Sequence, residues 1–135
     1  MTGKDGGKMK VRIIILFSML AVLLGVVVWE QVYIDNTINT MQTMSQNLYE
    51  ELEKENLEQS TTLAQDMHNY WLKRQAVISL MVDYRDIEQI GRQSSYIIAH
   101  LNNQDFELAR SECKQFDYIV GNFANMTHFD VHNIF

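Results

Sequence analysis

The chain has 135 residues and a formal net charge of −6, room for one domain beside a membrane segment. The charge is uneven: residues 1–12 hold Lys4, Lys8, Lys10 and Arg12 against Asp5, which leaves seven basic and sixteen acidic residues for the rest. A body this acidic excludes a phosphate-binding nucleic-acid surface and is repelled by anionic headgroups, and a single cysteine, Cys113, excludes an internal disulfide.

The first element is apolar. Residues 13–29 read IIILFSMLAVLLGVVVW, without a charge. At about 1.5 Å per residue this helix spans roughly 25 Å, a little under the hydrocarbon core, and Val11 joins it if Lys10 and Arg12 snorkel. Trp29 and Tyr33 fall where aromatic belts form, and the basic flank predicts a cytoplasmic N-terminus with the C-terminal side translocated across the cell membrane. A cleaved signal peptide has the same n- and h-regions, but no small-x-small cleavage site follows Gly25, so the sequence favours an uncleaved single-pass anchor. Ala21 and Gly25, with Ser18 a turn earlier, make a small-xxx-small face against which another membrane helix can pack, although small residues also recur by chance in apolar helices.

Beyond the anchor no proline interrupts the chain, and apolar residues recur at steps of three and four. Ile34, Ile38, Met41, Met44, Leu48 and Leu52 mark an amphipathic helix that ends at the polar break Lys54-Glu55-Asn56. A second carries Leu63, Met67, Tyr70, Trp71, Ile78 and Met81. After a break at Asp83-Tyr84-Arg85-Asp86, with Asp86 as the expected cap, a third carries Ile87, Ile90, Ile97 and Leu101. Residues 102–105 form a turn, and a fourth helix carries Phe106, Ala109, Cys113, Phe116, Val120 and Phe123. The expected fold class is all-α: an N-terminal transmembrane helix followed by an antiparallel helical bundle or two stacked helical hairpins. The expected divisions are a basic tail (1–12), an anchor (13–29), an extracytoplasmic helical domain (30–125) and a C-terminal tail (126–135).

An internal repeat runs at an offset of 49 residues. It aligns Ile38 with Ile87, Met41 with Ile90, Ser45 with Ser94, Leu48 with Ile97, Leu52 with Leu101, Leu57 with Phe106 and Met67 with Phe116. Two stacked hairpins would produce it, as would any two amphipathic hairpins of similar length.

Trp71, the stretch AVISLMVDYRDIEQI from Ala76 to Ile90, the stretch NNQDFELARSECKQF and the terminal Asn133-Ile134-Phe135 resemble domain-of-unknown-function family 4363 over nearly the whole chain. The resemblance implies a small membrane-anchored protein of Firmicutes, with no established activity. It also implies a multi-pass membrane partner, by association of neighbouring genes. The family's acidic-His pair in the central turn stands here as Asp83-Tyr84, and the proline common before its tail is missing.

No residue pattern points to catalysis, and the chain is expected not to be an enzyme and to need no cofactor. His128, Asp130 and His132 alternate in the manner of metal ligands but read as a solvated tail. Asp83, Asp86 and Glu88 lack the glycine and ligand spacing of a calcium loop and read as capping residues. Cys113 lies on the apolar stripe and reads as a small buried hydrophobe. The candidate interface residues are Ala21 and Gly25 in the anchor, Trp71 and Tyr84 among the aromatics, and Ile134 and Phe135 in the tail; for Trp71 the favoured place is the core. The expected function is a membrane-anchored helical interaction protein, an accessory subunit of a larger membrane protein; the alternative is an extracytoplasmic sensor or ligand-binding module. A homo-oligomer is compatible with either.

Overall fold

The computed structural model describes residues 2–127, and four helices account for nearly all of them: α1 (Thr2–Glu53), α2 (Leu57–Ile78), α3 (Tyr84–Asn102) and α4 (Phe106–Thr127). Among the described residues there is no strand. The chain forms two compact units, Met1–Tyr33 and Ile34–Phe135. The first is the apolar part of α1. It is long and apolar enough to cross a membrane, and none of its apolar window is buried. The basic flank belongs to the same helix, which starts at Thr2.

The second unit is a four-helix bundle. Its core takes Ile34, Ile38, Met41, Leu48 and Leu52 from α1, and Ala64, Met67, Trp71 and Ile78 from α2. From α3 come Ile87, Ile90, Ile97 and Leu101, and from α4 Ala109, Cys113, Phe116, Val120 and Phe123. These are the three-four stripes of the sequence, with small shifts. On α1, Thr37 and Ser45 are fully buried and Met44 is only half-buried. On α2 the buried line runs through Ser60 and Ala64, and Leu63 and Tyr70 sit at its half-buried edges. Small side chains let neighbouring helices approach, and bulky ones displaced to the edges still cover the seam.

α3 packs on both α2 and α4, and α4 returns to α1. Ser45 Oγ lies 3.4 Å from Cys113 Sγ, Arg110 donates to the Leu52 carbonyl at 3.1 Å, and the Lys114 ammonium sits 5.4 Å from the centre of the Tyr49 ring. The hairpins α1–α2 and α3–α4 thus close on each other as a bundle.

The repeat extends to the backbone. Glu55 and Gln104, 49 residues apart, both have positive φ, 53° and 56°. In the first turn Asn56 N–H donates to the Glu51 carbonyl and Glu55 N–H to that of Leu52; in the second, Asp105 N–H donates to His100 and Gln104 N–H to Leu101. Both are Schellman closures, in which a left-handed residue lets two orphan carbonyls find donors. The next residue in each case caps the following helix. Asn56 accepts from Gln59 N–H at 3.2 Å and Asp105 from Leu108 N–H at 3.0 Å.

The turn joining the hairpins is different, a run of short-range bonds over Ser79–Val82. α3 is capped by Asp83, not by Asp86 as the sequence suggested. Asp83 is extended (φ −60°, ψ 131°) and its carboxylate accepts from Arg85 N–H at 3.0 Å, while Asp86 already lies in the first helical turn. α4 runs to Thr127, beyond the expected boundary at residue 125. The rest of the tail, residues 128–135, lies outside the described residues.

Two stability measurements check this arrangement. Ile97 is fully buried, so Ile97→Asp costs at least ~3 kcal/mol and unfolds the bundle, read as loss of cooperative melting. Gln104→Gly removes the penalty of a left-handed non-glycine residue. It raises stability by roughly 0.5–1 kcal/mol once glycine's larger unfolded-state entropy is subtracted.

Candidate functional site

The sequence-derived candidates separate into buried and exposed groups. Trp71 is 1% exposed. Its indole lies against Gly91, where a Cβ would stand 3.4 Å from Nε1, and meets the Phe123 ring edge-on at 6.3 Å. This corrects its place among the interface candidates: a ring sealed between α3 and α4 packs the core and offers nothing to a partner. Tyr84 is 67% exposed and keeps its candidacy; Tyr118, at 65%, is as open. Tyr70 is half-buried beneath the Arg74 guanidinium, 5.0 Å from the ring centre. Ala21 and Gly25 are exposed along the apolar part of α1, and nothing comes within 4 Å of a Cβ placed on Gly25. Ile134 and Phe135 lie outside the described residues, as do His128, Asp130 and His132. Among the described residues no group of histidine, cysteine and carboxylate side chains is arranged to hold a metal ion.

The acidic residues near the α2–α3 turn serve local structure. The Asp83 carboxyl is held below its ordinary range by the Arg85 backbone N–H and then by the Arg85 side chain. Glu88 pairs with Arg92 one turn on, at 2.9 Å. Such exposed pairs contribute little to stability.

The bundle interior also holds polar side chains that the apolar stripes do not reveal. Most of them are paired, while Ser60 Oγ and Trp71 Nε1 are buried without a hydrogen-bond partner among the described residues. Thr37, Ser45, Ser60 and Ser94 are fully buried and Gln93 nearly so. His68 Nδ1 lies 2.6 Å from Ser94 Oγ, whose hydroxyl donates to the Gly91 carbonyl at 2.8 Å. With that proton committed, the His68 nitrogen is the donor. On the pseudo-equivalent side, Cys113 donates to the Ser45 carbonyl at 3.5 Å, and Ser45 Oγ lies 3.4 Å from the Cys113 thiol. The 49-residue correspondence relates Ser45 to Ser94 and His68 to Asp117. Each serine on the first helix of one hairpin thus bonds a side chain on the second helix of the other, Ser94 to His68 and Ser45 to Cys113. The signal that could have found these residues was the serine-on-serine match in the repeat. On the α3–α4 seam, Gln93 donates to the Glu112 carbonyl at 3.0 Å and also to its carboxylate, which approaches His100 at 3.6 Å.

The Cys113 thiol is not activated in this setting. Burial pushes the Cys113 thiol up to about 11, only partly offset by Ser45. A thiol that stays protonated is a poor nucleophile. Burial also raises the Asp117 carboxyl and lowers His68.

The signs differ. The folded chain prefers a neutral His68, so the stability linked to it is fully present above pH 6.5 and is lost as pH falls below that value and through the depressed folded-state pKa. Asp117 prefers to be protonated, so its contribution is greatest at low pH and fades as the carboxyl ionises. His68→Gln should therefore show a smaller drop in Tm between about pH 7 and about pH 5 than the parent. Asp117→Asn should raise Tm at neutral pH. Equal acid sensitivity in His68→Gln would show that another group titrates.

Comparison with known proteins adds a family and no activity. Neither the curated proteins nor the solved structures yield a match. The family model described as "Domain of unknown function (DUF4363)" matches residues 28–134, the whole bundle and the end of the apolar segment. The chain belongs to that family.

Proposed function

We propose that the chain is a single-pass membrane protein with a cytoplasmic N-terminus and an extracytoplasmic bundle, and that it works by contact with a larger membrane protein as an accessory subunit. The observation that carries this reading is the apolar part of α1, of which nothing is buried. A bilayer satisfies it, and the open Ala21/Gly25 face then offers a second membrane helix close approach. The charge asymmetry sets the orientation, with Lys4, Lys8, Lys10 and Arg12 retained in the cytoplasm. Confinement to the membrane plane raises the bundle's effective concentration near other membrane proteins without any new contact. The bundle interior is filled by side chains and its buried thiol is inert, so the reading assigns no catalytic step to it.

A second reading, a sensor that holds a small ligand, draws support from the groove between α3 and α4. Amides line much of it: Gln89, Gln115, Asn122 and Asn125, beside Asp86 and Tyr118. Its orientation requirement is the same.

Two measurements on a Cys113→Ala background test the proposal. A cysteine at Lys4 is shielded from an impermeant thiol reagent added to intact cells, and one at Gln104 reacts; the reverse pattern refutes the orientation. Exchanging residues 13–29 for an unrelated membrane helix keeps the bundle in the membrane but abolishes crosslinking through position 25. If crosslinking and cell phenotype survive the exchange, the anchor face is not an interface.

A further inference from the structure

The three turns of the bundle differ in chemistry. Lys54-Glu55-Asn56 and Asn103-Gln104-Asp105 are polar, as solvated turns are. The α2–α3 turn reads Ser79-Leu80-Met81-Val82, and Leu80 is 86% exposed with Met81 and Val82 half-buried beside it. The four most exposed large apolar or aromatic side chains described in the second unit are Leu80, Tyr84, Tyr118 and Met126. Three of them gather at one end. The groove that holds Asp86 also holds Met126, and Asp35 and Ile38 share another with Ala124 and Asn125. The start of α3, the end of α4 and the α1 residues just after Ile34 therefore occupy the same end of the bundle. It is the end at which the chain arrives from the apolar segment.

Charge is sorted the same way. Residues 50–58 and 105–112, at the far end, carry eight carboxylates against Lys54 and Arg110. Residues 73–86, around the apolar turn, carry Lys73, Arg74 and Arg85 against Asp83 and Asp86. The acidity that should keep this domain off anionic headgroups is thus concentrated away from the apolar turn.

On the reading that α1 spans the membrane, we propose that the α2–α3 turn, with Leu80 and Met81 at its tip and the Tyr84 ring beside them, seats in the headgroup layer of the same bilayer. Chain length supports it. Ile34 follows Trp29 by five residues, about 7.5 Å of helix, and the headgroup layer is roughly 5–7 Å deep on each side. Trp29 and Tyr33, with rings 5.5 Å apart, are the aromatic pair expected at that level. Leucine and methionine bury apolar area in the interface, tyrosine keeps its hydroxyl wet, and Lys73, Arg74 and Arg85 can meet lipid phosphates. The turn is then a second membrane contact that limits how the bundle tilts over the bilayer.

The test uses the full chain with Cys113→Ala, an exchange for the residue that the repeat itself places at the matching Ala64. The protein is reconstituted in phosphatidylcholine vesicles with single cysteines carrying an environment-sensitive fluorophore at Leu80→Cys, Tyr84→Cys, Gln104→Cys or Leu20→Cys. Circular dichroism verifies that each variant keeps its helicity. The expected result is a blue-shifted label at 80 and 84, quenched by spin-labelled lipid and protected from aqueous iodide, with position 104 showing the opposite. Lipid quenching at position 20 reports the anchor separately; without it the membrane-spanning reading fails. If position 20 is quenched by lipid but position 80 is as open to iodide as position 104, the proposal is overturned. It is equally overturned if position 80 escapes both quenchers, because protein then covers the turn.

Discussion

The feature on which the rest depends is an apolar helix, long enough to cross a membrane, whose side chains no other part of the described chain covers. From Ile13 to Trp29 the large side chains of α1 are about half to two-thirds exposed, and none of that window is buried. Full burial of an Ile, Leu, Val or Phe is worth ~1.5–3 kcal/mol each, so the twelve in this segment amount to tens of kcal/mol. A domain of this size is stable by only about 5–15 kcal/mol. The partition of the apolar segment therefore outweighs the stability of the fold attached to it. On the proposed reading, α1 decides where the chain resides and the bundle adds to that choice.

The bundle answers a smaller problem, the covering of four apolar stripes with few residues. It does so twice over, with two hairpins of one design. The left-handed residue, the paired carbonyl closures and the side-chain cap recur at Glu55-Asn56 and Gln104-Asp105. Where the hairpins meet, the buried serines reach across, Ser94 to His68 and Ser45 to Cys113. Burying polar side chains costs free energy unless they are satisfied. These pairs fix how one hairpin lies on the other in a way that apolar contact alone, being non-directional, does not.

Much of this architecture was legible beforehand, because helical periodicity without proline is a strong signal. Both polar turns fall where the three-four spacing put them, as do the four helices, except that α2 stops at Ile78 and leaves Met81 in the turn, and α3 starts at Tyr84, inside the expected break. The less legible parts have specific causes. Asp83 and Asp86 both suit an N-cap, and only backbone geometry chooses between them. Ser45, Ser60 and Ser94 look like solvent-facing residues until the helices close around them. Trp71 has the character of an interface anchor, yet the space beside Gly91 admits its ring to the core. The sorting of charge along the bundle axis was invisible until the antiparallel order brought residues 50–58 and 105–112 to one end.

The account stands or falls on α1 residing in a lipid bilayer, and its most direct measurement is extraction of native membranes with alkaline carbonate. A helix held by tens of kcal/mol of apolar burial stays in the membrane pellet at high pH and is released only by detergent. Recovery of the full-length chain in the carbonate supernatant would contradict the account.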